Sequence, residues 1–421
     1  MIALVADPAL PQRDVLLDPR EASRILGERL LAGGRPRVEV GFAKYRPGES
    51  LRVAYRVELD GGCRHVALRT FADSERAYRR ALPAADGLRP VAHAPEVGAV
   101  LWAFPNDRRL TSLATLDGES AALARLLGCA VTARVVAYAP ERSASAQCLD
   151  GDGRVVAYAK LQGGDSAGRD RRGLAASAAA ADDPDLRLPR LLGGTGDTVL
   201  LEPVPGRSLD SLPDAQLPGA LLRLGAALGA LHTLSPPPAT RFDRPDAGRL
   251  ATAAAVVARA RPDAAAAAER LLGRLVARRP DDAPAVCLHG DANLRNALIT
   301  PGPSAPTDRA EDHDGPIAPF HRGEVSDGRV ALIDLEDVSA GPAAADLGQV
   351  LAVLLARGVD AGGALLAGYA RRADPPGASA LRWHTAASVL GRVALPAVTH
   401  VRRDLLERLP ALLDAAGELL A

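Results

Sequence analysis

Lysine is almost missing from this 421-residue chain: only Lys44 and Lys160 occur, and every other basic residue is arginine. The bias fits a GC-rich genome, and it turns each lysine into a question of what arginine could not do there. Cysteine is also scarce. Cys63, Cys129, Cys148 and Cys287 stand far apart with no CxxC pair, which argues against a zinc site or a disulfide framework and for free thiols in a reducing compartment. Net charge is missing too: Lys+Arg and Asp+Glu both total 51, so nothing draws the chain toward nucleic acid or an anionic membrane. No apolar run approaches the length of a membrane span, and the opening MIALVADPALPQRDVLLDPREA meets proline and aspartate too early for a secretory core. A cytoplasmic protein without nucleic-acid or membrane partners is expected; oligomeric state is not legible. What is present is ample core material, 48% hydrophobic against 24% charged residues, over a length that calls for two or three packed units.

Residues 36–71 alternate apolar and polar positions and turn at RPGE and DGG, which reads as a three-stranded antiparallel meander. ADSERAYRRAL then reads as a helix and VGAVLWAF as a strand. The pattern recurs: residues 133–162 again read as three strands, residues 169–181 as a helix and residues 197–204 as a strand. Individual residues recur as well. Tyr45 and Pro47 match Tyr138 and Pro140, Arg69 matches Lys160, Val100 matches Val199, and Ser112-Leu113 matches Ser211-Leu212, at offsets of 91 to 99. These matches point to a duplicated small α+β unit. From about Leu217 the chain turns Ala- and Leu-rich with helical spacing, interrupted by AVCLHG pairing with NALIT and by RVALIDLED. Between them, residues 301–329 are rich in Pro, Gly and Asp and read as a mobile loop. The expected units are residues 1–120, residues 121–206 and residues 207–421.

The chemistry concentrates in the helical half. His289-Gly290-Asp291 is followed, five positions past the aspartate, by Asn296. That Asp-to-Asn spacing is the one in the catalytic loop of protein kinases, where the aspartate accepts the proton of the attacking hydroxyl and the asparagine holds magnesium. A second carboxylate is needed at a neighbouring strand end, and ALIDLED supplies Asp334 with Glu336 and Asp337 beside it. LHGDANLRNALI followed by LIDLEDVSAGPAAADLGQV resembles the aminoglycoside phosphotransferase and choline-kinase-like superfamily, whose fold resembles that of protein kinases.

The resemblance implies an α+β, protein-kinase-like bilobal fold with an antiparallel-sheet N-lobe and a mostly helical C-lobe. Residues 1–120 would be an additional small domain, a degenerate copy of the N-lobe serving as a cap or substrate-side wall. It implies ATP and Mg2+ as cofactors and a hydroxyl-bearing small molecule as acceptor: an aminoglycoside, an amino sugar, a choline-like alcohol or another sugar, with a mild tilt toward an amino sugar or sugar. Asp291 would be the base; Asn296 and Asp334, with Glu336 beside them, the magnesium side; Asp346 a structural carboxylate and His289 an orienting group. Lys160, closing the strand RVVAYAK, would bind the α- and β-phosphates, since a compact ammonium reaches between two phosphates as a planar guanidinium does not. Ser143 and Ser145 lie in the turn expected over the triphosphate, although no glycine-rich loop is present there, and backbone groups from Glu202 to Val204 would meet the adenine edge. Trp383, His384 and Arg392 are candidates for the acceptor wall. The helix after Lys160 offers only Asp165 or Asp170 as a partner, both shorter than a kinase glutamate.

Two rivals compete. GGDSAG fits G-x-S-x-G around Ser166, the signature of a serine nucleophile elbow, but tight hairpins precede it where a hydrolase has parallel strands, and no HGGG-like oxyanion segment is present. A kinase-shaped binding protein without activity is the second, and the joint presence of Asp291, Asn296, Asp334 and Lys160 argues against it.

Overall fold

The computed structural model describes residues 4–31, 33–59, 62–81, 91–164, 168, 183–235, 246–281, 283–300 and 328–421. Two helices lead in, α1 (Arg13–Leu16) and α2 (Pro19–Leu30). α2 begins where the Asp18 carboxylate accepts from the Arg20 and Glu21 N–H groups at 2.8 and 3.2 Å, with Pro19 in the first turn, where its missing N–H costs nothing. Strands β1 (Arg37–Arg46), β2 (Ser50–Leu59), β3 (Gly62–Thr70), β4 (Val91–Ala94) and β5 (Ala99–Ala103), with α3 (Ser74–Ala81) between β3 and β4, form an antiparallel sheet ordered β1-β2-β3-β5-β4. The expected meander, helix and strand are therefore present, and β4 is an added edge strand.

The pattern then repeats. After a short strand β6 (Gly118–Glu119) and α4 (Ala121–Leu127) come β7 (Thr132–Ala139), β8 (Ser143–Leu149), β9 (Val155–Gln162), β10 (Leu186–Arg187), β11 (Leu191–Thr195) and β12 (Thr198–Leu201). β10 joins a different sheet, and the others are ordered β11-β12-β9-β8-β7-β6. Apart from β6, the two sheets share one topology. The expected division at residue 120 cuts this second sheet: β6 pairs with β7, and Leu110, Leu113, Leu116 and Leu123 need the apolar face beneath it.

Strand alternation buries both faces of the first sheet. Val53, Tyr55 and Val57 point into a cluster shared with α2 and the C-terminal helices, whereas Ala54, Ala67, Val100 and Trp102 pack in the cluster of the second sheet. A strand covered on both sides has no polar alternation to keep, which accounts for the consecutive buried Val53-Ala54-Tyr55.

The remaining lobe is mostly helical. It comprises β13 (Arg207–Ser208), α5 (Leu217–Thr233), α6 (Ala247–Ala260), α7 (Ala265–Ala277), β14 (Ala285–Leu288), β15 (Ala297–Ile299), β16 (Val330–Leu332), β17 (Ser339–Pro342), α8 (Ala344–Arg357), α9 (Gly362–Tyr369) and α10 (Ala378–Ser388). A π-helical turn over Val389–Ala394 leads into α11 (Leu395–Thr399) and α12 (Arg403–Glu418). Glycine lets α5 and α9 meet backbone to backbone: a Cβ on Gly225 would stand 2.0 Å from the Leu365 carbonyl oxygen, and one on Gly368 1.8 Å from that of Leu222. One expected pairing is corrected. β14 pairs with β17 and not with β15, which pairs with β16, because the loop after β14 is pinned by a buried side chain and does not close as a hairpin. Apart from residues 328 and 329, the loop expected over residues 301–329 lies outside the described residues, as does the helix expected over residues 169–181. No helix among the described residues is long and apolar enough to cross a membrane.

Candidate active site

The loop from His289 to Asn296 connects β14 to β15, and one carboxylate organises it. Asp346, in the first turn of α8 and without solvent exposure, accepts from the His289 N–H at 2.7 Å, the Gly290 N–H at 3.0 Å and His232 Nε2 at 3.1 Å. Burial alone would raise its pKa, but the bond and charge of His232, together with His289, hold it below the ordinary value. His232 is fixed in turn through Nδ1, 2.9 Å from the Tyr369 hydroxyl. The His289 ring is equally constrained. Nε2 faces the Ile333 carbonyl at 2.9 Å and Nδ1 faces the Asp291 N–H at 3.3 Å, so the Nε2–H tautomer satisfies both. Gly290 sits at φ +83°, and a Cβ there would meet the Asp337 carbonyl oxygen at 2.1 Å. The loop thus threads a gap that only glycine fits.

At the end of this loop Asn293 caps the 3₁₀ turn Leu294–Asn296, accepting from the Arg295 and Asn296 N–H groups at 2.9 and 3.2 Å. Asp291 Oδ2 accepts from Asn296 Nδ2 at 3.1 Å and Asn293 Nδ2 at 3.3 Å. Its other oxygen, Oδ1, accepts from Arg392 Nη1 at 2.6 Å, while Arg392 Nη2 donates to the Gly290 carbonyl at 2.7 Å. Arg392 lies in the π-helical turn, whose extra residue re-aims side chains.

The second cluster follows β16, which pairs antiparallel with β15. The Ile333 N–H donates to the Asn296 carbonyl at 2.9 Å, which sets Asp334 beside Asn296. Asp334 adopts a left-handed conformation, φ +67° and ψ +60°, at the start of the turn Leu335–Asp337, and its carboxylate accepts from Lys160 Nζ. Burial opposes its charge, but the attraction and hydrogen bond of Lys160, with His289 and Arg142 farther out, keep its pKa below the ordinary value. Glu336 Oε2 lies 3.8 Å from Lys160 Nζ and accepts from Gln162 Nε2 at 2.5 Å. Lys160 therefore takes its acidic partners from the strand end after β16. Asp165 and Asp170, the partners offered by the sequence, lie outside the described residues, as does Ser166. Ser145 is directly opposite Lys160 in the β8–β9 ladder and Ser143 opposite Gln162, so all four side chains share one sheet face.

The other expectations divide. The Glu202 N–H donates to the Arg190 carbonyl at 3.0 Å, and its carboxylate accepts from Arg190 Nε at 2.7 Å with Arg187 at 3.5 Å. Its own N–H is thus engaged, leaving the segment through Val204 as the stretch that could meet a base edge. Trp383 and His384 are corrected as acceptor contacts. Trp383 is 1% exposed, donates its indole N–H to the Leu275 carbonyl at 2.9 Å, and packs edge-on against His384, itself 3% exposed. Both belong to the core, because α10 turns its apolar face inward.

Arg392 does reach the cavity. An opening of about 740 Å³ is lined by Asp291, Arg392, Gln349, Arg357 and His400, and on its far side by Gly41–Ala43 of β1. The edge strand of the first sheet thus lines this opening. His400 donates from Nδ1 to the Ala43 carbonyl at 2.7 Å and stands 3.4 Å from Lys44 Nζ; burial and the charges of Lys44, Arg142 and Arg402 push its pKa down to about 4. The sequence offered no sign of the Arg392–Asp291 pair or of the His232–Asp346 contact, since both join distant helices.

Among the described residues no three His, Cys, Asp or Glu side chains converge as a metal site. One amide and one or two carboxylates, Asn296, Asp334 and Glu336, nevertheless fit a hard cation that takes its remaining ligands from phosphates and water. Residues 170–305 match the profile of the family described as "Phosphotransferase enzyme family", the superfamily that the two motifs resemble. No curated protein matches. Among solved structures, an aminoglycoside phosphotransferase, APH(3'')-Id, from Streptomyces rimosus is 20% identical, covering 62% of this chain and 92% of its own at TM-score 0.39. The macrolide 2'-phosphotransferase MphH from Brachybacterium faecium is 18% identical, covering 69% and 95%, at 0.45. A choline/ethanolamine kinase family protein from Mesorhizobium loti is 15% identical, covering 68% and 87%, at 0.42.

Proposed function

We propose that this chain, with its phosphotransferase-family segment, moves the γ-phosphate of ATP to a hydroxyl of a small acceptor, an amino sugar, aminoglycoside or other sugar. The observation that carries the reading is the nearness of two pairs: Asp291, which lines the cavity, hydrogen-bonded to Asn296, and Lys160 bonded to Asp334, whose strand end is tied to Asn296 through the Ile333 N–H. Asn296 and Asp334 would hold magnesium, which when bound neutralises charge on the phosphates. Lys160 then exchanges carboxylate for phosphate oxygens, an exchange its four-carbon stem permits. Asp291 orients the acceptor hydroxyl and receives its proton on Oδ1 once Arg392 gives way. Asp346 and His289 keep the loop in place, so catalysis here is positioning and charge compensation. The acceptor occupies the cavity between the helical lobe and β1.

A coupled ADP-release screen over amino sugars, aminoglycosides, sugars and amino alcohols tests this, with Asp291→Asn as control. Loss of a general base lowers turnover by about 10²–10⁴-fold. ADP release that persists unchanged in Asp291→Asn would refute the assignment.

A further inference from the structure

The two sheets are alike beyond their strand order. Each has a bulge in its first hairpin, after Val40 in the first and after Val135 in the second. Each hairpin turn hangs on an aspartate: Asp7 Oδ2 accepts from the Tyr45 hydroxyl at 2.6 Å and the Gly48 N–H at 2.7 Å, and Asp107 Oδ2 accepts from the Tyr138 hydroxyl at 2.7 Å and the Glu141 N–H at 2.8 Å. The other oxygen takes the N–H two residues on, from Ala9 at 3.1 Å and from Arg109 at 2.8 Å. Gly48 and Glu141 both have positive φ, +76° and +60°. On this alignment Arg52, Arg69 and Val100 form one cross-strand row, and Ser145, Lys160 and Val199 form its counterpart. Arg69 stands where Lys160 stands. Ser112-Leu113 falls within the lead-in of the second unit and so is no copy of Ser211-Leu212.

What occupies the cationic face of the first unit is the turn of the second. The Glu141 side chain has no solvent exposure; its carboxylate is bonded to Arg69 and Arg108, and Arg52 Nε lies 3.5 Å away. Arg52 Nη1 also donates to the Pro140 carbonyl at 2.6 Å. The first unit's own turn is pinned elsewhere, with the Pro47 carbonyl accepting from Arg259 of α6. We propose that residues 7–103 and 107–201 are repeats, and that the first has become a clamp: its Arg52 and Arg69, joined by Arg108 from the head of the second, hold Glu141 where the first unit's own phosphate would lie, fixing the β7–β8 turn over the nucleotide phosphates of the second. Glu141 is then a positioning residue. It is kept charged because, although burial opposes ionisation, Arg108 with Arg69 and Arg52 brings its pKa below the ordinary value. A buried carboxylate facing three guanidiniums leaves the turn no other place to rest, since any shift strands unpaired charge. The clamp itself rests on geometry; its effect on nucleotide rests on the function proposed above.

Two measurements on the full chain separate the two. Hydrogen exchange of the segment spanning residues 138–145, without ligand, reads the clamp; ADP and ATP-analogue affinity, with the nucleotide KM, reads its consequence. Glu141→Gln and Arg69→Ala, which removes the first unit's own bond to that carboxylate, should each speed exchange in that segment. Each should weaken nucleotide binding by about tenfold, the effect of losing one charge-assisted hydrogen bond, while the acceptor KM holds. Arg69→Lys should restore part of the loss. Unchanged exchange in both variants overturns the clamp. Faster exchange with unchanged nucleotide affinity overturns its link to the phosphates. A wild-type chain that binds no nucleotide, or binds it equally after Lys160→Ala, refutes the function proposed above and leaves the exchange result to be read alone.

Discussion

Replacing Asp346 by asparagine tests the support of the loop from His289 to Asn296. Three donors converge on the carboxylate: the N–H groups of His289 and Gly290 and the His232 ring. An amide of the same shape has one acceptor oxygen, so at least one buried donor would face an NH2 group. Leaving it unsatisfied costs about 1–3 kcal/mol, and each remaining bond loses about 1 kcal/mol as it changes from charge-assisted to neutral. The sum, about 3–5 kcal/mol, equals the usual penalty for breaking a buried ionic contact. Urea unfolding of both proteins across pH reads it. Because the folded-state pKa of Asp346 is depressed, its contribution is present above the unfolded value, near 3.9 for aspartate, and is lost as pH falls through the folded one. The gap between wild type and variant should hold from neutral to mildly acidic pH and narrow only in acid. A gap below about 1 kcal/mol at pH 7, or one that widens on acidification, would refute the reasoning.

Gly290→Ala should destabilise the fold by at least about 2 kcal/mol, from left-handed strain plus displacement of the Asp337 carbonyl 2.1 Å from the new Cβ, as read by thermal unfolding. Arg392→Ala should leave stability within about 1 kcal/mol, since the Arg392 and Asp291 side chains are 39% and 37% exposed, yet it should change the acceptor KM; an unaltered acceptor KM would exclude Arg392 from the acceptor site.

The parts of the site legible in sequence were those whose partners lie close in the chain. Asp291 and Asn296 stand on one loop, and strand alternation in residues 36–71 and 133–162 displayed both meanders. Lys160 was visible through rarity. The sequence offers it acidic partners in the helix that follows, but Asp334 and Glu336 reach it from more than 170 residues away, and no local pattern encodes such a contact. The same limit hid Arg392 on Asp291 and drew Trp383 to the wrong place: an aromatic on an amphipathic helix reads alike whether it faces a cavity or a core. β14 was mispaired because proximity in sequence favours a hairpin, and a buried Asp346 outweighs that preference.

The carboxylates divide by exposure, and the division follows from their tasks. Asp346 and Glu141 are buried and collect several donors each; displacing either turn would strand a charge away from water, so the energy rises steeply with small movements. Groups held that way cannot exchange partners during turnover. On the proposed function Asp291 must do so, and among the described residues its charged contact is the part-exposed Arg392. The part-exposed Asp291–Arg392 pair separates at small cost, about 0–1 kcal/mol; the Lys160–Asp334 pair is more deeply set and does not belong to that class. On that reading rigidity resides in Asp346 and Glu141, and exchange of partners in Asp291, whose ion pair is weak. Substitutions at the first kind should register in unfolding and in positioning, and at the second in turnover.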